Sequence, residues 1–455
     1  MRRFLFPTAV LTLVLIVSCA SPDRFGPFPP DHTPEPLGDV LFIGDDGNVY
    51  TVDPESRETT ALTDLSVRYG GTPHSYDQPH WSPDGMKISY VAMHRSERSG
   101  RSYYLYVHDL ASGAVRTHEV TAAQPPAYTQ WAPDSRRLSF LVQSEETGLL
   151  EIVVWDTETD HTVRVLNNRP LFWDWSPSGD FLVAHGGTSS LRGGSGTVSI
   201  VRFDTAAEPT VNELDVQAGY FQVPAIAPSS DAFAMGVFSQ ETGTSLAVRS
   251  IETGETVIRG PLFSAGAFGW SPDGEWIAYI TGLRRPTGEI TGNLRIAQRD
   301  SDVRLVSDRA RSLPVQEDSR APSLGGVNAF YWSPDGAHLA FYRTDRRQND
   351  AGQLVLEVRL GFIETATGRA FELPPERPTT SLSSVIIPYF DQYARSGSMF
   401  TTDGSGFLMN VQTPDNRPGI YLVDVASRTA ELIAYGHMPV FRPTGSGEQL
   451  SSESL

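Results

Sequence analysis

A five-residue pattern, Trp-Ser-Pro-Asp-Gly, recurs along this chain. It is intact at 81–85, 270–274 and 332–336, and eroded at 131–135, 175–179, 226–230 and 400–404. Recurrence at roughly 40 to 60 residues marks a repeat architecture, in which each unit buries its apolar face only against its neighbours. Seven positions after the first residue of each unit stand Ile88, Leu138, Leu182, Phe233, Ile277, Leu339 and Phe407. Two further on stand Tyr90, Phe140, Ala184, Met235, Tyr279, Phe341 and Met409. Apolar residues two apart form one face of a β-strand. Between the Trp and that strand, Pro presets φ, Asp bonds its own backbone and Gly accepts positive φ, so the segment reverses the chain. A third strand ends on an acid, such as Asp109, Asp156 or Glu364, and a turn leads to a short fourth strand. Four antiparallel strands per repeat make one blade of an all-β propeller.

The chain ends bear on the number of blades. Residues 40–62 read as strands two, three and four of a blade that lacks its first, and residues 437–443 read as a first strand with nothing after it. Joined, they make one blade and remove the open edge that invites aggregation. Seven complete units and this composite predict eight blades, with seven as the alternative because the Phe400 unit is the most eroded. The motif tryptophans are expected to pack between blades rather than serve as ligand platforms.

Residues 1–18 begin Met1-Arg2-Arg3 and continue as an apolar stretch too short to span a bilayer, as in a signal peptide. The stretch ends at Cys19, the single cysteine, which excludes an internal disulfide or a cysteine metal cluster. Residues 19–38 are Pro-rich and suit a tether, residues 39–443 hold the propeller, and residues 444–455 read as a disordered tail. A net charge of −18 argues against a nucleic-acid partner.

Ile16-Val17-Ser18-Cys19 resembles the lipobox of bacterial lipoproteins, in which the cysteine thiol carries diacylglycerol. The resemblance implies lipidation at Cys19, a membrane contact through the lipid, and a location in the extracytoplasmic cell envelope. The Trp-Ser-Pro-Asp-Gly hairpin with its apolar pair resembles the TolB-like propeller repeat, found in periplasmic TolB and in the propellers of prolyl-oligopeptidase-type peptidases. That resemblance covers about residues 39–443. A Gly-x-Ser-x-Gly elbow is lacking, since Gly194-Ser195-Gly196 has the wrong spacing.

Function is expected on one propeller rim, where long loops gather. The aromatics Tyr76, Tyr128, Trp173, Phe221, Phe268, Phe330 and Phe390 stand there at the starts of first strands, beside Gln78, Gln130, Asp174 and Gln222. Arg284, Arg285, Arg346 and Arg347 fall in loops of adjacent blades and suit an acidic ligand. No cofactor motif is found, and none is expected. His80 and His437 are weak metal candidates, because opposite parity puts them on opposite strand faces. The expectation is a non-enzyme: an anchored scaffold that binds an envelope protein or a small ligand. The alternative is an envelope lyase or hydrolase with its site at the channel mouth.

Overall fold

The computed structural model describes residues 37–64, 75–96, 100–122, 124–187, 196–203, 208–219, 222–263, 265–284, 290–299, 326–348 and 352–443. Cys19, Phe221, Arg285 and most of the long rim loops lie outside them.

Each motif folds by local chemistry. Ser82 donates to the Asp84 carboxylate at 2.5 Å, the same carboxylate accepts from the Met86 N–H at 2.9 Å, and Ser82 Oγ accepts from the Lys87 N–H at 2.8 Å. Ser333, Asp335 and His338 repeat this arrangement. Gly85, Gly274 and Gly336 take φ of 68°, 71° and 69°. In eroded copies Ser135 and Ser230 hold the same turn at 55° and 59°, at a cost of about 1–2 kcal/mol each.

The hairpins grow into antiparallel sheets around a common axis. The Trp81 blade comprises Ser75–Trp81, Lys87–Ser96, Gly100–Asp109 and Val115–Val120. The Trp131 blade comprises Tyr128–Trp131, Arg137–Gln143, Leu150–Asp156 and His161–Asn168, and the Trp175 blade starts with Leu171–Trp175. Blades at Ile226, Trp270 and Trp332 follow, with the fourth position of the Trp270 blade outside the described residues. Burial falls between blades: Trp131, Phe140 and Trp155 pack with Leu105 and Val107 of the preceding blade.

The two chain ends share a sheet. Val40 pairs with Phe441, Leu41 with Val440 and Ile43 with His437. Thr429–Phe441 runs unbroken, pairing first with Pro418–Asp424 and then with Val40–Gly44. The last repeat and the composite blade therefore merge into one six-stranded sheet. With the merged sheet counted once, the described strands make seven blades, the alternative kept from the sequence beside the favoured eight.

The first strand of the last repeat departs from the pattern. Pro378 faces Val411 and Phe400 faces Phe407, so a short stretch of Gly406–Gln412 is matched by a much longer stretch of incoming chain. The surplus leaves the sheet at Thr379 and returns at Met399. It folds into a π-helical turn Leu382–Ile386, a 3-10 turn Ile387–Tyr389 and a helical turn Phe390–Tyr393.

Candidate functional site

The surplus segment lies on the propeller axis. Its apolar residues Leu382, Ile387 and Phe390 are buried. Tyr128 donates its hydroxyl to the Gln392 carbonyl at 2.7 Å, and Ser396 Oγ reaches the Tyr128 hydroxyl at 2.5 Å and the Thr129 carbonyl at 2.8 Å. Arg395 bonds Asp174 at 2.9 Å, and Asp391 accepts from the Val223 N–H at 3.3 Å. Phe390 meets Phe330 edge to face, and a Cβ on Gly397 would come within 2.6 Å of Val440. The segment thus touches the Trp131, Trp175, Ile226 and Trp332 blades and the closing strand, and forms a hub for the ring.

Below the hub, at the motif end of the first strands, a cavity of about 720 Å³ remains. Its wall is the repeat itself: Trp81, Trp131, Trp175, Ile226, Trp270, Trp332, Phe400 and Phe441, with prolines such as Pro83, Pro133 and Pro272 between them. Its floor is the hub from Phe390 to Met399, joined by Gln130 and Asp174. Most of the wall tryptophans are bolted to the preceding blade. Trp131 Nε1 donates to Ser89 Oγ at 2.9 Å, Trp175 to Ser139 Oγ at 3.0 Å, Trp270 to the Ala225 carbonyl at 2.8 Å and Trp332 to the Gly269 carbonyl at 3.1 Å. Arg442 and Arg299 stack over Trp81 and Trp270.

The floor carries the charge. Burial raises the pKa of Asp174, and the Arg395 guanidinium and the Ile226 N–H oppose that rise. His80 lies against the opposite side of the hub, in a small void of about 40 Å³ shared with Tyr331, Leu382, Tyr393 and Met438. Burial draws its pKa down to about 4, with the Ser396 backbone as the polar group facing it.

Most of the rim residues read from the sequence are not at an open rim. Tyr76, Tyr128, Trp173, Phe268 and Phe330 are buried between blades or against the hub, and Phe390 starts no strand but is a buried residue of the hub itself. Trp173, Phe268 and Phe330 sit two residues before the motif aromatic, so strand parity gives them the same inward-packing face. Gln78, Gln130 and Gln222 are also buried: Gln78 donates to the Pro126 carbonyl and Gln222 to the Gly236 carbonyl, both at 2.7 Å. Arg346 and Arg347 are exposed as expected, but on the extended hairpin strand His338–Gln348 and not in a loop. Arg284 ends the strand Trp276–Arg284. Of the sequence candidates, the structure brings Gln130, Asp174, Phe268, Phe330 and Phe390 together at the cavity. Arg395 and Asp391 were missed. The available signal was the apolar run from Leu382 to Phe390, too greasy for an exposed connection. Among the described residues no group of three or more His, Cys, Asp or Glu is placed to hold a metal; His80 sits under the hub and His437 opposite Ile43.

Fold and site together define a β-propeller whose axis is filled by its own chain and whose remaining cavity is walled by the repeat motif. No protein-family model matches the chain. Dipeptidyl-peptidase 5 of Porphyromonas gingivalis is 34% identical over 108 residues, which span 23% of this chain and only 15% of that protein. Among solved structures the chain is similar to the propeller domain of the trilobed protease from Pyrococcus furiosus, with a TM-score of 0.41, 14% identity and coverage of 83% of this chain and 98% of that one. It is similar to a prolyl endopeptidase, with a TM-score of 0.47, 14% identity and coverage of 87% and 54%. TolB from Acinetobacter baumannii gives a TM-score of 0.32, 19% identity and coverage of 57% and 61%. Identities of this order bear on fold alone. The expectation of a non-enzyme is corrected by the curated relative, which is a peptidase.

Proposed function

We propose that the chain is an envelope hydrolase acting on peptides, with its site in the cavity at the channel mouth. The carrying observation is that cavity, about 720 Å³ with Trp and Pro walls and a buried Asp174–Arg395 pair in its floor. Ligand sites combine such apolar walls with a few convergent polar groups. The peptidase relative supplies the reaction class. Asp174 is the group suited to exchange a proton, because it lies in the cavity floor and its burial raises its pKa. Arg395 would face negative charge developing on a carbonyl oxygen. The test is incubation of the purified full chain with a mixed peptide library, read by mass spectrometry. We expect cleavage products, reduced about 10²- to 10⁴-fold in Asp174→Asn. A clean preparation that leaves every peptide intact refutes the hydrolytic reading.

We further infer that the merged six-stranded sheet is two blades, making eight, because Phe400 and Phe441 each take a motif-aromatic place in the cavity wall. An experimental density map with seven sectors would count against it. Anchoring through Cys19 and an extracytoplasmic location rest on the lipobox-like sequence; among the described residues no helix is long and apolar enough to cross a membrane. Cys19→Ala should move the protein from the membrane fraction to the soluble fraction and abolish labelling by a fatty-acid analogue.

A further inference from the structure

The motif tryptophans share a companion. The Arg442 guanidinium lies 5.1 Å from the Trp81 ring centre and donates to the Gly85 carbonyl at 2.9 Å. Arg137 lies 5.1 Å from Trp175 and donates to the Gly179 carbonyl at 2.5 Å. Lys87 donates at 2.8 Å to the carbonyl of Ser135, which holds the place of those glycines in the Trp131 turn. Arg299 lies 5.6 Å from Trp270 and bonds Ser229 and Asp231 on the turn before it. A cation thus occupies the seam between consecutive motif turns, on or beside the tryptophan of the later one.

Trp332 departs from this rule. Its seam is formed in the same way, since a Cβ on Gly336 would stand 3.6 Å from Pro272 of the preceding turn. Yet among the described residues no cation stacks on its ring. Thr365 holds the chain position of Arg299: their N–H groups donate to the matching carbonyls of Ala337 and Glu275. Its short side chain is spent on the Gly336 and Ala337 carbonyls. Across the seam, Trp276 holds the position of Lys87 and Arg137, six after its motif aromatic. Ala278 and Ile280, on the same face of that strand, pack with the Trp332 blade, so parity turns Trp276 toward it. Trp276 and Trp332 are only half-buried, whereas Trp81, Trp131, Trp175 and Trp270 are buried. The acids of the preceding turn, Asp273 and Glu275, are exposed and make no ion pair among the described residues. Glu275 stands where Asp231 pairs with Arg299 in the neighbouring seam.

We propose that the seam between the Trp270 and Trp332 blades binds the guanidinium of an arginine side chain presented by a partner polypeptide. The guanidinium stacks on Trp276 and Trp332, Glu275 balances its charge, and Asp273 adds negative potential. A guanidinium is the group that the fold itself places at Trp81, Trp175 and Trp270, and its weak hydration suits an indole face. The site is separate from any hydrolysis in the axial cavity and stands or falls without it. The test titrates the full chain with N-acetyl-arginine methylamide and with its lysine and citrulline counterparts, followed by intrinsic fluorescence and calorimetry. We expect the arginine probe to bind saturably and the neutral, near-isosteric citrulline probe to bind about tenfold more weakly or less. Lysine should fall between them. Glu275→Gln should weaken arginine binding about threefold. Trp276→Leu should remove it, and so should Thr365→Arg, which gives this seam an arginine at the position of Arg299. If Trp276→Leu or Thr365→Arg does not fold, the exposed Glu275→Gln and the citrulline comparison still decide. Citrulline bound as well as arginine, arginine binding untouched by the substitutions, or no saturable binding at all overturns the proposal.

Discussion

Trp270 shows what the repeat asks of one residue. Its indole is largely buried, donates to the Ala225 carbonyl of the blade before it and lies under Arg299. Trp270→Ala should cost roughly 3–5 kcal/mol, seen as a lowered midpoint in chemical denaturation. Trp332, only half-buried, should cost less. His80 makes a second residue-scale case. Its ordinary value is 6.5 and burial brings it to about 4, so the unfolded chain binds a proton the folded one refuses. Stability should fall as pH drops from 6.5, and this penalty should stop growing below about 4. His108, also near 4, acts in the same direction. Urea midpoints measured from pH 7 to 4.5 should slope less for His80→Gln than for the unaltered protein.

At the scale of elements, the hub behaves as a small core of its own, pinned by charge. Asp174 and Arg395 have side-chain exposures of 10% and 16%. Removing one partner of such a pair leaves a desolvated charge, so Arg395→Ala should destabilise by about 3–5 kcal/mol. Replacing both by neutral residues should recover part of that loss in a double-mutant cycle. The hairpins were legible because their signal is local: Pro, Asp and Gly at fixed offsets, then apolar residues two apart. The hub was not legible as a channel filler. The eye sees 374–388 as another long connection. Its apolar residues follow neither a helical nor a strand period, and nothing local says that a strand has been opened to admit it. Arg395 carries no signal either, since its partner Asp174 is over two hundred residues away.

At the scale of the molecule, closure depends on Val40–Gly44 lying beside the end of Thr429–Phe441. Deleting residues 436–443 should expose both the edge of Val40–Gly44 and the faces of the neighbouring blades. We expect loss of the cooperative transition and a shift to aggregates in size-exclusion chromatography. That closure was readable from the two partial blades at the chain ends. The rim aromatics Trp173, Phe268 and Phe330 are core residues because a position two before the motif aromatic shares its strand face. The merging of two units was also hidden, because a strand can leave one sheet and enter the next without a break in its apolar pattern.

The splice of the hub into its sheet has a practical side. Its feet lie opposite residues four positions apart on a single partner strand, a gap of about 13 Å. The paired strand Gly406–Gln412 sets that gap. The axis is therefore a socket, and a sequence grafted between Pro378 and Phe400 would be presented inward to the several blades that the hub now touches.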